Sequence, residues 1–212
     1  MATITKGILG AIRGTVGTVT GSSWQGIDYI RTRAGARTKP STQRQIEQQT
    51  KFLLVLQFLQ PIISLIMLGF KAYAIRKTGY NAAMSYNIKN AVNGTYPSYQ
   101  LDFSKVLFSR GDLPGALNAG AVSTEAGKVT FTWSDNSGTG KAKPGDKALL
   151  LVYCIDRKQA IYTTGSALRS AATETLQVTE FSGQEVETWM AFISQDGKDL
   201  ASSVYTGKVT VS

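Results

Sequence analysis

Beyond residue 127 the chain is cut into short β-prone runs, VTFTWS, ALLLVYCI, AIYTT, ETLQV, VETWMAFIS and YTGKVTV, separated by the turn clusters DNSGTGKAKPGD, DRKQ, SGQE and QDGKD. β-Branched and aromatic residues bounded by Gly, Pro, Asn and Asp suit a pleated surface interrupted by tight turns. In VTFTW, Val129, Phe131 and Trp133 share one face, as a strand with one side in a core requires. About seven strands in about ninety residues is what an antiparallel β-sandwich needs. Ahead of these runs, LDFSKVLF reads as a strand and SRGDLPGALNAGA, rich in Gly, Pro and Ala, as a loop.

The opposite end of the chain carries a different pattern. In the stretch from Gly7 to Arg37 glycines stand at 7, 10, 14, 17, 21, 26 and 35, the first six among small, β-branched and apolar residues. The 3,4,3,4 spacing from Gly7 to Gly21 would form one small-residue stripe on a helix. Glycine costs such a helix about 1 kcal/mol per position relative to alanine, so strands are favoured, with glycines serving bulges or close backbone approach. A hairpin is expected, pairing TVGTVTGSSW with IDYIRTR about a turn at Gln25 and Gly26.

AGARTKPS then reads as a basic linker that Lys39-Pro40 keeps extended. Thr42 with Gln45 fits a capping box opening a helix through TQRQIEQQTKFLLVLQFLQ, and Pro61 suits the start of a second through IISLIMLGFKAYAIRK. A third runs through AAMSYNIKNAV to Asn93-Gly94. The apolar run FLLVLQFLQPIISLIMLGF approaches the length of a membrane span, but Gln57, Gln60, Ser64 and the central Pro61 favour a buried helical hairpin. The resulting expectation is an α+β chain: residues 1–97 form a basic β-hairpin plus a bundle of about three helices, and residues 98–212 form an antiparallel β-sandwich.

Charge divides along the same line. Residues 1–100 hold twelve Lys and Arg against Asp28 and Glu47, a net of +10, while residues 101–212 hold eleven basic and twelve acidic side chains, a net of −1. A basic half attracts a polyanion or an acidic protein surface. The cluster Arg31, Arg33, Arg37, Lys39, Arg44 and Lys51, preceded by Trp24 and Tyr29, is the candidate contact surface together with Gly14, Gly17 and Gly21. Stacking of the two aromatics on bases is one reading, and packing of the strands against protein is the other.

Catalytic chemistry is poorly supplied. There is no histidine, which removes the commonest general base and zinc ligand, and the lone Cys154, set in an apolar run, excludes an intrachain disulfide and reads as a buried thiol. GTGKAKPGDK has the wrong glycine spacing for a phosphate loop, and Ala142 stands where a magnesium-binding hydroxyl is needed, so it reads as a turn. Arg110-Gly111-Asp112 matches an adhesion tripeptide but, with Pro114 close by, also an ordinary turn. No carboxylate pair is marked by a motif. The expectation is a protein that is not an enzyme and uses no cofactor, metal or small-molecule substrate.

Two resemblances follow from these residues. VTFTWSD, a third strand with apolar alternation ending in YCID, and the late pair within TWMAFISQDGKDLASSVYTG resemble a fibronectin type III or immunoglobulin-like domain. The whole chain is similar to a family of uncharacterised Bacteroidota proteins, through Gly14-Thr15-Val16-Gly17, Gly21-Ser22-Ser23-Trp24-Gln25-Gly26, Tyr29-Ile30-Arg31, the run from Gly79 to Asn87, and Ser109 to Ala116. That family brings a two-part layout and no assigned activity. The Gly-rich strands, basic linker and Gln/Arg-rich helix are also similar to small phage-type proteins.

The functional expectation is a structural or assembly protein whose N-terminal half associates with copies of itself or with a larger particle. Nucleic-acid binding by the basic half is the alternative. No apolar signal segment follows Lys6, so a cytoplasmic location, or carriage in a phage-like particle, is expected.

Overall fold

A computed structural model describes residues 2–4, 10–24, 26–36, 40–165 and 167–212. Its contacts divide the chain into two compact units, Met1–Thr42 and Gln43–Ser212. The first contains an antiparallel meander, β1 (Thr3–Ile4), β2 (Ile12–Val16), β3 (Val19–Trp24) and β4 (Ile27–Thr32), in the order β1-β2-β3-β4. The expected hairpin about Gly26 is present as β3 and β4, but TVGTVTGSSW is not one strand. Gly17 has φ +56° and turns the chain between Val16 and Val19, which face each other across β2 and β3. A positive φ at the first loop residue is what two-residue hairpin turns ask for, and glycine supplies it without strain.

The second unit opens with α1 (Gln43–Leu59), which starts one residue after Thr42 as a capping box there requires. The expected hairpin of two helices about Pro61 does not form. Pro61 occupies the first turn of a short 3-10 segment, Gln60–Ile62, where no partner for its missing N–H is needed, and helix resumes as α2 (Ile63–Gly69). Helix α3 (Gly79–Asn90), capped by the Thr78 side chain, packs against both. Helix α2 ends well short of Lys77, at Gly69, where the Phe108 carbonyl leaves no room for a β-carbon.

After the ribbon β5 (Val92–Asn93) and β6 (Gln100–Leu101) come seven strands: β7 (Leu117–Val122), β8 (Lys128–Ser134), β9 (Lys147–Cys154), β10 (Gln159–Tyr162), β11 (Thr173–Gln177), β12 (Glu185–Ile193) and β13 (Val204–Thr210). They form an antiparallel sandwich of a three-stranded sheet, β11-β8-β7, and a four-stranded sheet, β10-β9-β12-β13. LDFSKVLF is not one of them. It becomes the end of β6 and a 3-10 turn at Phe103–Lys105, while the apparent loop LNAGAV supplies β7, with a register shift between Leu117 and Gly120.

Between the sheets lie Val129, Phe131 and Trp133 of β8, Leu150, Val152 and Cys154 of β9, and Val186, Met190 and Phe192 of β12. The opposite faces of β9 and β12, with Leu149, Leu151, Tyr153, Trp189, Ala191 and Ile193, pack under Val55, Phe58, Leu59, Ile62, Leu65 and Ile66 of the helical run. The four-stranded sheet is thus the middle of three layers. This corrects the alternation read into ALLLVYC: β9 is buried on both faces, so every second position cannot be polar. It also moves the division of the chain. Helices and sandwich share one core, so the units separate at Thr42 and Gln43 and not at 97 and 98.

Candidate association surface

The predicted contact residues fall into both units. Gly14, Gly17, Gly21, Trp24, Tyr29, Arg31 and Arg33 belong to the N-terminal meander; Arg44 and Lys51 belong to α1; Arg37 and Lys39 lie outside the described residues. In the second unit Arg44 is exposed, and the Lys51 ammonium stands 4.7 Å from the centre of the Tyr99 ring. Lys51 also lines a concavity of about 500 Å³ between α1 and α3, with Gln48, Ser85, Ile88, Lys89 and Val92.

Within the meander, register decides which residues act together. Opposed residues on antiparallel strands point to the same side. Ser22 faces Tyr29, Trp24 faces Ile27 and Thr20 faces Arg31, so Trp24, Ile27, Tyr29 and Arg31 share one face with the Thr15 and Thr20 hydroxyls, 3.3 Å apart. The other face carries Val16 and Val19, opposed to each other and continued by Thr32, and Gly14, Gly21 and Ile30 in one row. Sequence reading singled out the glycines and the aromatics but not Ile27 or Ile30, because the two faces of β4 separate only once its pairing with β3 is known.

The glycines have distinct tasks. Gly14 has φ +101°, and the chain before it folds so that the Ile12 carbonyl occupies the space a β-carbon of Gly21 would need. Gly21 is accordingly buried while most of its neighbours are not. Val16 is 61% exposed, Trp24 51%, Ile27 64%, Tyr29 43% and Ile30 61%. All six residues of β4 are exposed.

The motifs of the second unit are absorbed by its packing. Arg110 of the Arg-Gly-Asp sequence lies over the rings of Tyr73 and Tyr86, 4.5 and 5.2 Å from their centres, and its backbone N–H donates to the Gly69 carbonyl. Gly111 abuts the Leu200 backbone. Asn87 is buried, donates to the carbonyls of Ala83 and Leu107, and accepts from the Leu107 N–H. The central run ending at Asn87 and the run beginning at Ser109 therefore pack on adjoining segments and join the helices to the sandwich. GTGKAKPGDK is the connection between β8 and β9, and its Asp146 is fully buried against Arg169, with Nε donating to Oδ2 at 3.1 Å. Among the described residues no three acidic or cysteine side chains converge as a metal site.

A family model covers residues 11–207, which takes in strands β2 to β4, the helices and nearly all of the sandwich. The chain belongs to DUF6266. This is a family of unknown function, and the match spans strands of the meander as well as the layered second unit. No curated protein matches the chain. Among solved structures, this DUF6266 member is similar to the fn3 domain of human collagen alpha-1(XX) chain, with 11% identity over 47% of this chain and 87% of that one, at a TM-score of 0.35.

Proposed function

We propose that this DUF6266 protein is a non-enzymatic structural or assembly protein whose N-terminal meander is the association surface and whose second unit is an Ig- or fibronectin III-like spacer or interaction module. The observation that carries this reading is the exposure of the meander. Val16, Ile27 and Ile30 are each more than 60% exposed, and of the described residues in β2 to β4 only Gly21 is buried. A small sheet without a covered apolar face is marginal in water, and exposed apolar surface of this kind marks contact with a partner. The partner is a protein assembly, either copies of this chain or a larger, phage-like particle, reached in the cytoplasm. Co-purification from the native host, with the partner identified by mass spectrometry, tests this. Recovery of a protein assembly that is lost when residues 1–42 are deleted is the expected result; recovery of the chain alone, monomeric at high concentration, overturns it.

A second reading draws on the face shared by Trp24, Tyr29 and Arg31. Exposed aromatic rings beside a guanidinium suit a single-stranded nucleic acid, with bases stacked and phosphates neutralised. Affinity would then fall with salt, with a log-log slope of about −0.7 per phosphate contact on a single strand. No binding to single-stranded DNA or RNA at low salt removes this reading.

A further inference from the structure

We infer that β4 is a dimerisation edge, at which a second copy of the chain adds its own β4 antiparallel to form a continuous sheet; this rests on the assembly reading above and names its partner. The meander runs β1-β2-β3-β4, so among the described residues β4 has a neighbour on one side only. Which of its backbone groups are free follows from the ladder. Arg33 N–H donates to the Thr18 carbonyl at 2.7 Å, making Thr18 and Arg33 a bonded pair. Bonded and non-bonded pairs alternate along an antiparallel ladder. Thr20 with Arg31, Ser22 with Tyr29 and Trp24 with Ile27 are then bonded, whereas Asp28, Ile30 and Thr32 turn their N–H and C=O groups to the open side.

These three residues are complementary to themselves. With a two-fold axis normal to the sheet at Ile30, Ile30 opposes Ile30 of the second copy, Asp28 opposes Thr32, and all three open positions on each chain exchange hydrogen bonds, about six in total. The intervening non-bonded position sets Tyr29 against Arg31 of the other copy on the same face, a ring beside a guanidinium. Shifting the register by two residues one way sets Arg31 against Arg31, and the other way leaves Thr32 unpaired. IDYIRT contains no proline and no lysine, no bulge interrupts its pairing with β3, and in this register its two charges, Asp28 and Arg31, oppose Thr32 and Tyr29 and not a like charge. Ile30 on one face, and Ile27 beside Trp24 of β3 on the other, would continue the exposed apolar surface across the seam.

The test uses the full chain. Ile30→Cys places two thiols on the axis, where the Cα separation of a bonded pair, about 5.5 Å, suits a disulfide. Ser23→Cys on β3 is the control, since β3 and its mate would be three strand spacings apart, about 14 Å; native Cys154 is buried and silent. Mild oxidation should convert Ile30→Cys to a covalent dimer and leave Ser23→Cys uncoupled. Ile30→Pro, which removes an open N–H without touching the β3 ladder, should turn a dimer seen by light scattering into a monomer. A wild-type oligomer that Ile30→Cys does not cross-link and Ile30→Pro does not dissociate overturns the edge pairing while the assembly reading stands. A wild-type monomer that still co-purifies with a particle does the same, and a monomer that co-purifies with no assembly takes both down.

Discussion

The Phe58 ring of α1 stands 5.5 Å from the Trp189 ring of β12, centre to centre, and 5.0 Å from Tyr153 of β9. The Trp189 indole N–H donates to the Phe103 carbonyl at 3.1 Å, so one aromatic cluster fastens the helix, the 3-10 turn and the middle sheet. Both Phe58 and Trp189 are fully buried. What reads in sequence as two successive domains is therefore joined through a shared layer of side chains.

Phe58→Ala should lower the stability of the whole second unit by about 3–5 kcal/mol, the cost of an aromatic cavity in a close-packed core. Because the layer is shared, helix and sheet should unfold together. Urea denaturation followed by far-ultraviolet circular dichroism and by tryptophan fluorescence should give coincident curves for the wild type and for the variant, with the variant shifted to lower urea. Two separated transitions, the helical one alone displaced, would show independent domains.

Arg169 and Asp146 form a buried pair at the junction of the two sheets. The guanidinium also donates to the Asn136 side chain and the Pro114 carbonyl, and lies 3.8 Å from the centre of the Phe192 ring. Burial pushes the Arg169 guanidinium down from its ordinary value, opposed by Asp146. Removing one partner strands the other charge without water, so Asp146→Asn or Arg169→Met alone should each cost about 3–5 kcal/mol. The double variant should be markedly less damaged than the sum of the two, a difference that a double-mutant cycle in chemical denaturation measures.

Gly21→Ala should disrupt only the meander. A methyl group there collides with the Ile12 carbonyl, and backbone cannot swing aside as a flexible side chain can. The second unit, which has its own core, should keep its melting temperature within about 2 °C, a shift that in a unit of this size corresponds to less than about 1 kcal/mol. Amide exchange in residues 12–32 should accelerate while exchange in β9 and β12 stays slow. Gly26→Ala is a useful comparison, since open space surrounds that position and only its φ of +80° is strained.

Asp102 should make stability depend on pH in an acidic window. The Ser104 side chain is the main cause that holds its carboxyl down at about 2, helped by Lys105 and Asn93. A depressed carboxyl contributes stability above its ordinary value, about 3.9, and loses it as pH falls through the folded value. The urea midpoint of Asp102→Asn should therefore lie below that of the wild type at pH 6, and the two should converge as pH approaches 2. An unchanged gap across that range would assign the effect to shape and not to charge.

Much of the second unit is written locally. Val129, Phe131 and Trp133 alternate as a one-sided strand must, and they do face the inner core. The turn clusters mark the ends of β8 to β13 closely. Thr42 with Gln45 places the start of α1, and Thr78 caps α3. In the candidate surface, positive φ at Gly17 and close approach at Gly21 are uses of glycine that the β-branched surroundings already imply. In these places a property of one residue, its φ range, branching or side-chain period, is enough to decide local structure.

Other features depend on partners distant in the chain. Pro61 looks like the corner of a helical hairpin, yet the helix runs on through it, because the face of Phe58, Ile62 and Ile66 is held along the middle sheet. ALLLVYC cannot reveal that both its faces are covered until the helices lie on one side and β8 on the other. Arg110 fits both an adhesion tripeptide and an ordinary turn until Tyr73 and Tyr86 are brought around it. Likewise Trp24, Tyr29 and Arg31 are only a list until strand pairing puts them on one face and leaves Asp28, Ile30 and Thr32 with open backbone groups. The sequence by itself determined strands β8 to β13 with their turns, the starts of α1 and α3, and the charge asymmetry, since these follow from short-range sterics and composition. Only the tertiary structure decided the shared core, the faces of the meander and its open edge, since burial and register are relations between segments that no single segment carries.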